Sequence, residues 1–113
     1  MGVPELLILP QAPPLNQLPP DLHDAQARYR VEIEDGRSFL LTIDHGRLSL
    51  KEDGGEGDGL LKCSMDVFHR VLSGDVNLLT AFIRGDVRMS GDLRAIKALY
   101  RFLRLCRTQR NPL

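Results

Sequence analysis

The stretch 77-NLLTAFIRGDVRMSGD-92 decides how this chain folds. Asn77 is a helix N-cap residue, and Leu78, Leu79, Ala81, Phe82 and Ile83 leave a short helix with little polar surface. Gly85 ends that helix. Val87 and Met89 then alternate with Asp86, Arg88 and Ser90, the period of a strand, and Gly91-Asp92 turns into another helix. The unit needs a sheet to pack on before it and a cover after it.

The cover is the clearest pattern in the chain. Leu93, Ile96, Leu99, Tyr100, Leu103 and Cys106 form an apolar stripe at helical spacing. Arg94, Lys97, Arg101 and Arg104 form a parallel basic stripe, continued by Arg107 and Arg110. Just upstream, Ser64 caps a helix in which Met65, Phe68, Val71 and Leu72 share a face and Ser73-Gly74 provides the stop.

Before that helix the period is two. Tyr29, Val31 and Ile33 alternate with Arg30, Glu32 and Glu34, and Asp35-Gly36 signals a hairpin turn. A second strand runs through Phe39, Leu41 and Ile43, where the extra apolar Leu40 implies cover on part of the opposite face. Asp44-His45-Gly46 turns the chain into a third strand through Leu48 and Leu50, and Leu60 to Cys63 forms a fourth. KEDGGEGDG (51–59) has four glycines and four acids and reads as a solvated hairpin loop. Its acids Asp53, Glu56 and Asp58 match no calcium-loop spacing, so no metal is expected.

Residues 1–20 hold six of the seven prolines, which forbids a long helix. Leu6, Leu7, Ile8 and Leu9 are either part of a loose arm or docked in an apolar groove, and Asp21 caps a short turn running to Ala27. The division expected is a 1–27 arm, a 28–107 domain and a 108–113 tail.

Length and charge narrow the functions. With 113 residues there is room for one domain, and 15 basic against 15 acidic residues give no net charge to attract nucleic acid. Cys63 and Cys106 sit at no metal or redox spacing and behave as small hydrophobes of a reducing compartment. The apolar run 6–9 is too short for a signal peptide or a bilayer span, so the cytoplasm is the expected location. His23, His45 and His69 lack partners at ligand spacing, and no nucleophile motif occurs. Enzymatic activity is not expected, nor a cofactor.

The wording from Asp66 to Leu99, DVFHRVLSGDVNLLTAFIRGDVRMSGDLRAIKAL, resembles the second half of the sterol carrier protein domain, the non-specific lipid-transfer family. The shared features are Ser73-Gly74, Ala81-Phe82, Gly85, the strand Asp86 to Ser90, and Gly91-Asp92. Tyr29 to Leu50 resembles the family's first half. The resemblance implies an α+β fold, a single five-stranded, mostly antiparallel sheet with helices on one face. It also implies an apolar cavity between them for a fatty acid, acyl-CoA or sterol. One departure is plain: the proline-rich arm stands where the family places a long amphipathic helix.

Cavity wall is therefore expected at Phe39, Leu41, Phe68, Leu72, Leu78, Phe82, Val87, Met89, Ile96, Leu99 and Leu103. Phenylalanine and methionine, including Met65 and Phe102, are the bulky or adaptable groups that line such sites. Arg94, Lys97, Arg101 and Arg104 read either as a solvated face or as contacts to an anionic headgroup or membrane surface. A second reading makes the chain a non-catalytic interaction module of the same fold that serves a partner enzyme, or a homodimer covering what the missing helix leaves open.

Overall fold

The computed structural model describes residues 9–10, 12–52 and 55–106. Its centre is strand β1, Gln26–Ile33, whose alternation puts Ala27, Tyr29, Val31 and Ile33 inside and Arg28, Arg30 and Glu32 on the opposite face. Strand β2, Ser38–Asp44, pairs antiparallel with it, setting Tyr29 opposite Leu41 and Val31 opposite Phe39. The apolar pattern fixes that register, because a one-residue slip would turn every buried side chain outward. Strand β3, Arg47–Glu52, follows through the tight turn at His45 (φ 48°) and Gly46 (φ 83°) and forms one edge.

The segment read as a hairpin loop is a crossover. Strand β4, Gly59–Cys63, does not pair with β3; it lies parallel to β1 on the other side, with Val31 opposite Leu61. The reason lies in β1, whose inward residues are all buried and whose two edges both need ladder partners. The crossover runs on the helix-free face, where Arg30 Nη1 donates to the Gly55 carbonyl at 3.2 Å. It is pinned as Asp58 N–H donates to the Arg28 carbonyl at 2.6 Å and Arg28 N–H to Asp58 Oδ2 at 2.9 Å. A Cβ on Gly57 would lie 2.4 Å from the Arg28 carbonyl oxygen, so only glycine allows this approach. Leu40 is buried on the same face, with Arg30 and Lys51 as its cross-strand neighbours.

Strand β5, Arg88–Gly91, completes the order β3-β2-β1-β4-β5, antiparallel to β4. It starts two residues later than the alternation suggests. The N–H groups of Asp86 and Val87 both donate to the Ala81 carbonyl, at 2.9 and 3.3 Å, closing the preceding helix rather than extending the ladder.

Helices α2 (Met65–Ser73), α3 (Leu78–Arg84) and α4 (Leu93–Leu105) cover the inward face. The first two begin on the expected caps, Ser64 Oγ accepting from Val67 N–H at 3.1 Å and Asn77 Oδ1 from Leu79 N–H at 2.9 Å, and in the turn before α4 Asp92 Oδ1 accepts from Arg94 N–H at 2.8 Å. Gly74 and Gly85 end α2 and α3 in left-handed conformation, φ 86° and 84°. The Tyr29 hydroxyl donates to the Ala95 carbonyl at 2.5 Å, tying α4 to the middle of the sheet. Burial holds that phenol well above its ordinary pKa, so it stays a donor.

Ahead of β1 the described residues form a 3-10 turn, Leu15–Gln17, and the short α1, Pro20–His23. Asp21 is not the cap; Pro19 holds that position without a side-chain bond, the turn ends at His23, and β1 begins at Gln26. Pro20 supplies the preset φ of a first helical turn, which explains the start. Leu18 and Leu22 are buried in the same core as the strands, and half-buried Leu9 packs against it. Leu6, Leu7 and Ile8 lie outside the described residues.

Tyr29→Phe removes one buried hydrogen bond and almost no volume. It is expected to cost about 1 kcal/mol in urea unfolding, with an unchanged denaturant slope.

Candidate functional site

Between sheet and helices the side chains converge on a wholly apolar gap. Its wall is Leu41, Leu61 and Cys63 from the sheet, Phe68, Val71 and Leu72 from α2, Leu78 from α3, Val87, and Leu99 and Leu103 from α4. The gap is about 10 Å³, room for roughly one water against the ~300 Å³ or more of an ordinary ligand site. The structure is closed.

Of the residues expected at a cavity wall, Leu41, Phe68, Leu72, Leu78, Val87, Leu99 and Leu103 meet here. Phe39 stands behind Phe68, the two rings stacked with centroids 6.0 Å apart. Met89 is half-buried on β5 opposite Leu61, and half-buried Ile96 packs beside Gly59. Phe82 is not at this gap: 44% exposed, it lies on the outer side of α3. A helix of under two turns has a narrow inner face, which Leu78 and Ala81 already occupy. Leu61, Cys63 and Val71 join the wall without having been expected there, although alternation about Lys62 and the spacing from Phe68 place them on the right faces.

A groove of about 260 Å³ opens at the surface between the end of α2, the 74–77 link and the second half of α4. Val71, Leu78 and Leu103 line both groove and gap. Arg104 stands at its rim, 5.6 Å over the Tyr100 ring, its Nη1 donating to the Tyr100 hydroxyl oxygen at 3.3 Å. Larger depressions elsewhere, of 350 to 510 Å³, are bounded largely by charged side chains such as Glu32, Lys62 and Arg88 and lie away from the helix layer's interior.

The basic stripe does not act as one group. Arg94, Lys97, Arg101 and Arg104 are all exposed, but Arg101 is paired with Asp21 of α1, and of the four only Arg104 lines the groove. Buried Cys63 and half-buried Cys106 are free thiols, pushed up to about 11 and about 12 by burial. His45 Nδ1 lies 2.6 Å from Asp44 Oδ1, but this histidine–acid pair sits in an exposed turn remote from gap and groove. Among the described residues no group of three His, Cys, Asp or Glu side chains is placed to hold a metal, and no helix is long and apolar enough to cross a membrane.

This is the architecture of a small α+β domain that closes helices over one face of a sheet around an apolar interior. The chain belongs to the SCP-2 sterol transfer family, whose model matches residues 8–104. Among solved structures it is similar to domain 2 of the sterol carrier protein of Helicoverpa armigera, at 17% identity and TM-score 0.62, covering 79% of this chain and 75% of that one. A sterol carrier protein 2-like protein from Aedes aegypti aligns at 16% identity and TM-score 0.57, over 80% and 87% of the two chains. The inverting sec-alkylsulfatase Pisa1 of a Pseudomonas species aligns at 21% identity and TM-score 0.62 over 83% of this chain. This chain spans 15% of that enzyme, so the likeness is to one part of it. No curated protein sequence matches.

Two outcomes test these electrostatics. Cys63 should react about 100-fold and Cys106 about 1,000-fold more slowly than a free thiol with a disulfide reagent at pH ~8, because so little thiolate is present. The Arg101 guanidinium holds the Asp21 carboxyl below its ordinary 3.8. A lowered folded pKa means the pair stabilises fully above the unfolded value and loses its effect as pH falls through the folded one. Asp21→Asn should therefore lower the melting temperature slightly at neutral pH, the difference closing below pH 3.8.

Proposed function

We propose that this chain binds a single-chain apolar lipid, a fatty acid or its acyl ester, which enters from the groove and parts Val71, Leu78 and Leu103 to occupy the interior. The observation that carries this is that an apolar gap and a groove with a cation at its rim share Val71, Leu78 and Leu103 as wall. Arg104 is the headgroup contact; Arg94 and Lys97 lie on the same helix but not in the groove, and Arg101 is committed to Asp21. Membership of a sterol transfer family supports the lipid class and a carrier role. The two free thiols suit the reducing cytoplasm.

Closure suits a carrier. An empty cavity of acyl size would cost several kcal/mol of stability, and a collapsed interior avoids that cost. Ten methylenes buried on opening gain about 8 kcal/mol before the ordering terms are deducted.

The same closure favours a second reading, a holding or docking module of a larger assembly, as the likeness to one part of a sulfatase suggests. A homodimer is one form of it. Light scattering tests it on the intact chain, because cutting at residue 20 would remove Leu18 from the core. A monomer at every concentration counts against the dimer.

For the carrier, fatty acid or acyl-CoA should raise the melting temperature by several degrees, and an organic extract of purified protein should contain lipid. Leu103→Trp, which fills the passage from a half-buried position, should abolish the rise while leaving the unliganded melt within a few degrees. A flat melting temperature across fatty acids, acyl-CoA and sterols, with a lipid-free extract, would sink the proposal.

A further inference from the structure

The groove between the end of α2 and the second half of α4 has an apolar wall of Val71, Val76, Leu78 and Leu103, to which α4 adds Tyr100 and Arg104. Those two residues are four apart and so share one side of the helix. The Arg104 guanidinium carbon lies 5.6 Å from the centre of the half-buried Tyr100 ring, and Nη1 donates to the hydroxyl oxygen at 3.3 Å. The hydroxyl thus accepts one bond, and its own hydrogen goes to no described residue.

Arg104 is the one charged side chain among the described residues that line the groove, and it forms no ion pair with any of them. The Asn77 side-chain oxygen is committed to the start of α3. Exposed Asp75, in the neighbouring link, does not line the groove, and burial keeps Cys106 a neutral thiol. No side chain in the lining opposes a negative charge.

We propose that Tyr100 and Arg104 together clamp one ionised carboxylate, so that the groove selects a free fatty acid over its esters, acyl-CoA and sterols. One carboxylate oxygen takes guanidinium hydrogens and the other the phenol hydrogen, two donors held side by side by the bond between them. An ester or thioester brings no charge, and covering Arg104 with it takes the cation out of water uncompensated. A sterol hydroxyl leaves the charge unmatched in the same way. The phosphates of coenzyme A find no second cation in the lining: Arg94 and Lys97 are outside it, and Arg101 is paired with Asp21. The clamp rests on the carrier reading and narrows its ligand; Tyr100 is the residue it adds to the site.

Calorimetric titration of the native chain with dodecanoate, methyl dodecanoate and dodecanoyl-CoA tests the clamp, because the acyl chain is the same in each. Dodecanoate should bind about tenfold or more tighter than either derivative. Raised salt should narrow its advantage over the methyl ester. Arg104→Gln should bring the acid-to-ester ratio of affinities close to one. Tyr100→Phe, which keeps the ring under the arginine and removes the hydroxyl, should lower that ratio about threefold or more. A merely structural role for either residue would weaken acid and ester alike and leave the ratio as it was. Equal affinities in the native chain, or a ratio that survives either substitution, overturns the clamp. Acid and ester bound equally remove the clamp and leave carriage standing, whereas a chain that binds none of the three loses both.

Discussion

The structure depends on β1 being paired on both edges. Its inward residues Tyr29 and Val31 are fully buried, and its backbone groups must find partners on each side. The hairpin to β2 satisfies one edge and the parallel β4 the other, which obliges the chain to cross the sheet between β3 and β4. The crossover in turn requires Gly57, since its backbone passes against the Arg28 carbonyl with no room for a side chain. From the same strand the Tyr29 hydroxyl reaches Ala95 and positions α4, the helix that carries one side of both gap and groove.

This arrangement divides the molecule into a sheet held by backbone ladders and a helix layer packed on it through side chains. The sheet face is held by ladders along every strand. The helix layer covers the gap largely with packed side chains, of which Val71, Leu78 and Leu103 also line the groove. The two ends of α4 differ in the same way: its first half is bonded to the sheet through Ala95, while its second half borders the groove. Asp21 holds Arg101 from outside, an exposed pair of small energetic weight.

Much of the fold was legible locally. The caps Ser64, Asn77 and Asp92 and the stops Gly74 and Gly85 act where the residue types say they should, because capping is chemistry within a few residues. The alternation of Tyr29, Val31 and Ile33 named the buried face correctly for the same reason. The errors fall where two distant segments compete. Acid- and glycine-rich 51–59 has the composition of a hairpin loop, and nothing within it states that β4 will pair with β1 rather than β3. Val87 alternates like a strand residue, yet its N–H belongs to the helix before it. Phe82 has the chemistry of a core residue but is 44% exposed.

The sequence by itself therefore determined the elements, their boundaries to within a few residues, the inward faces and the resemblance to sterol carrier domains. It also determined most of the side chains that meet at the gap, since helical and strand periods assign faces without knowledge of neighbours. The tertiary structure decided the parallel pairing, the burial of Leu18 and Leu22 from the proline-rich segment, the pairing of Arg101 with Asp21, and the outward turn of Phe82. It also decided that the interior is shut, at about 10 Å³. These are sums over residues far apart in the chain: whether apolar side chains leave a cavity or fill one another's space depends on how closely the layers approach, which no local pattern encodes.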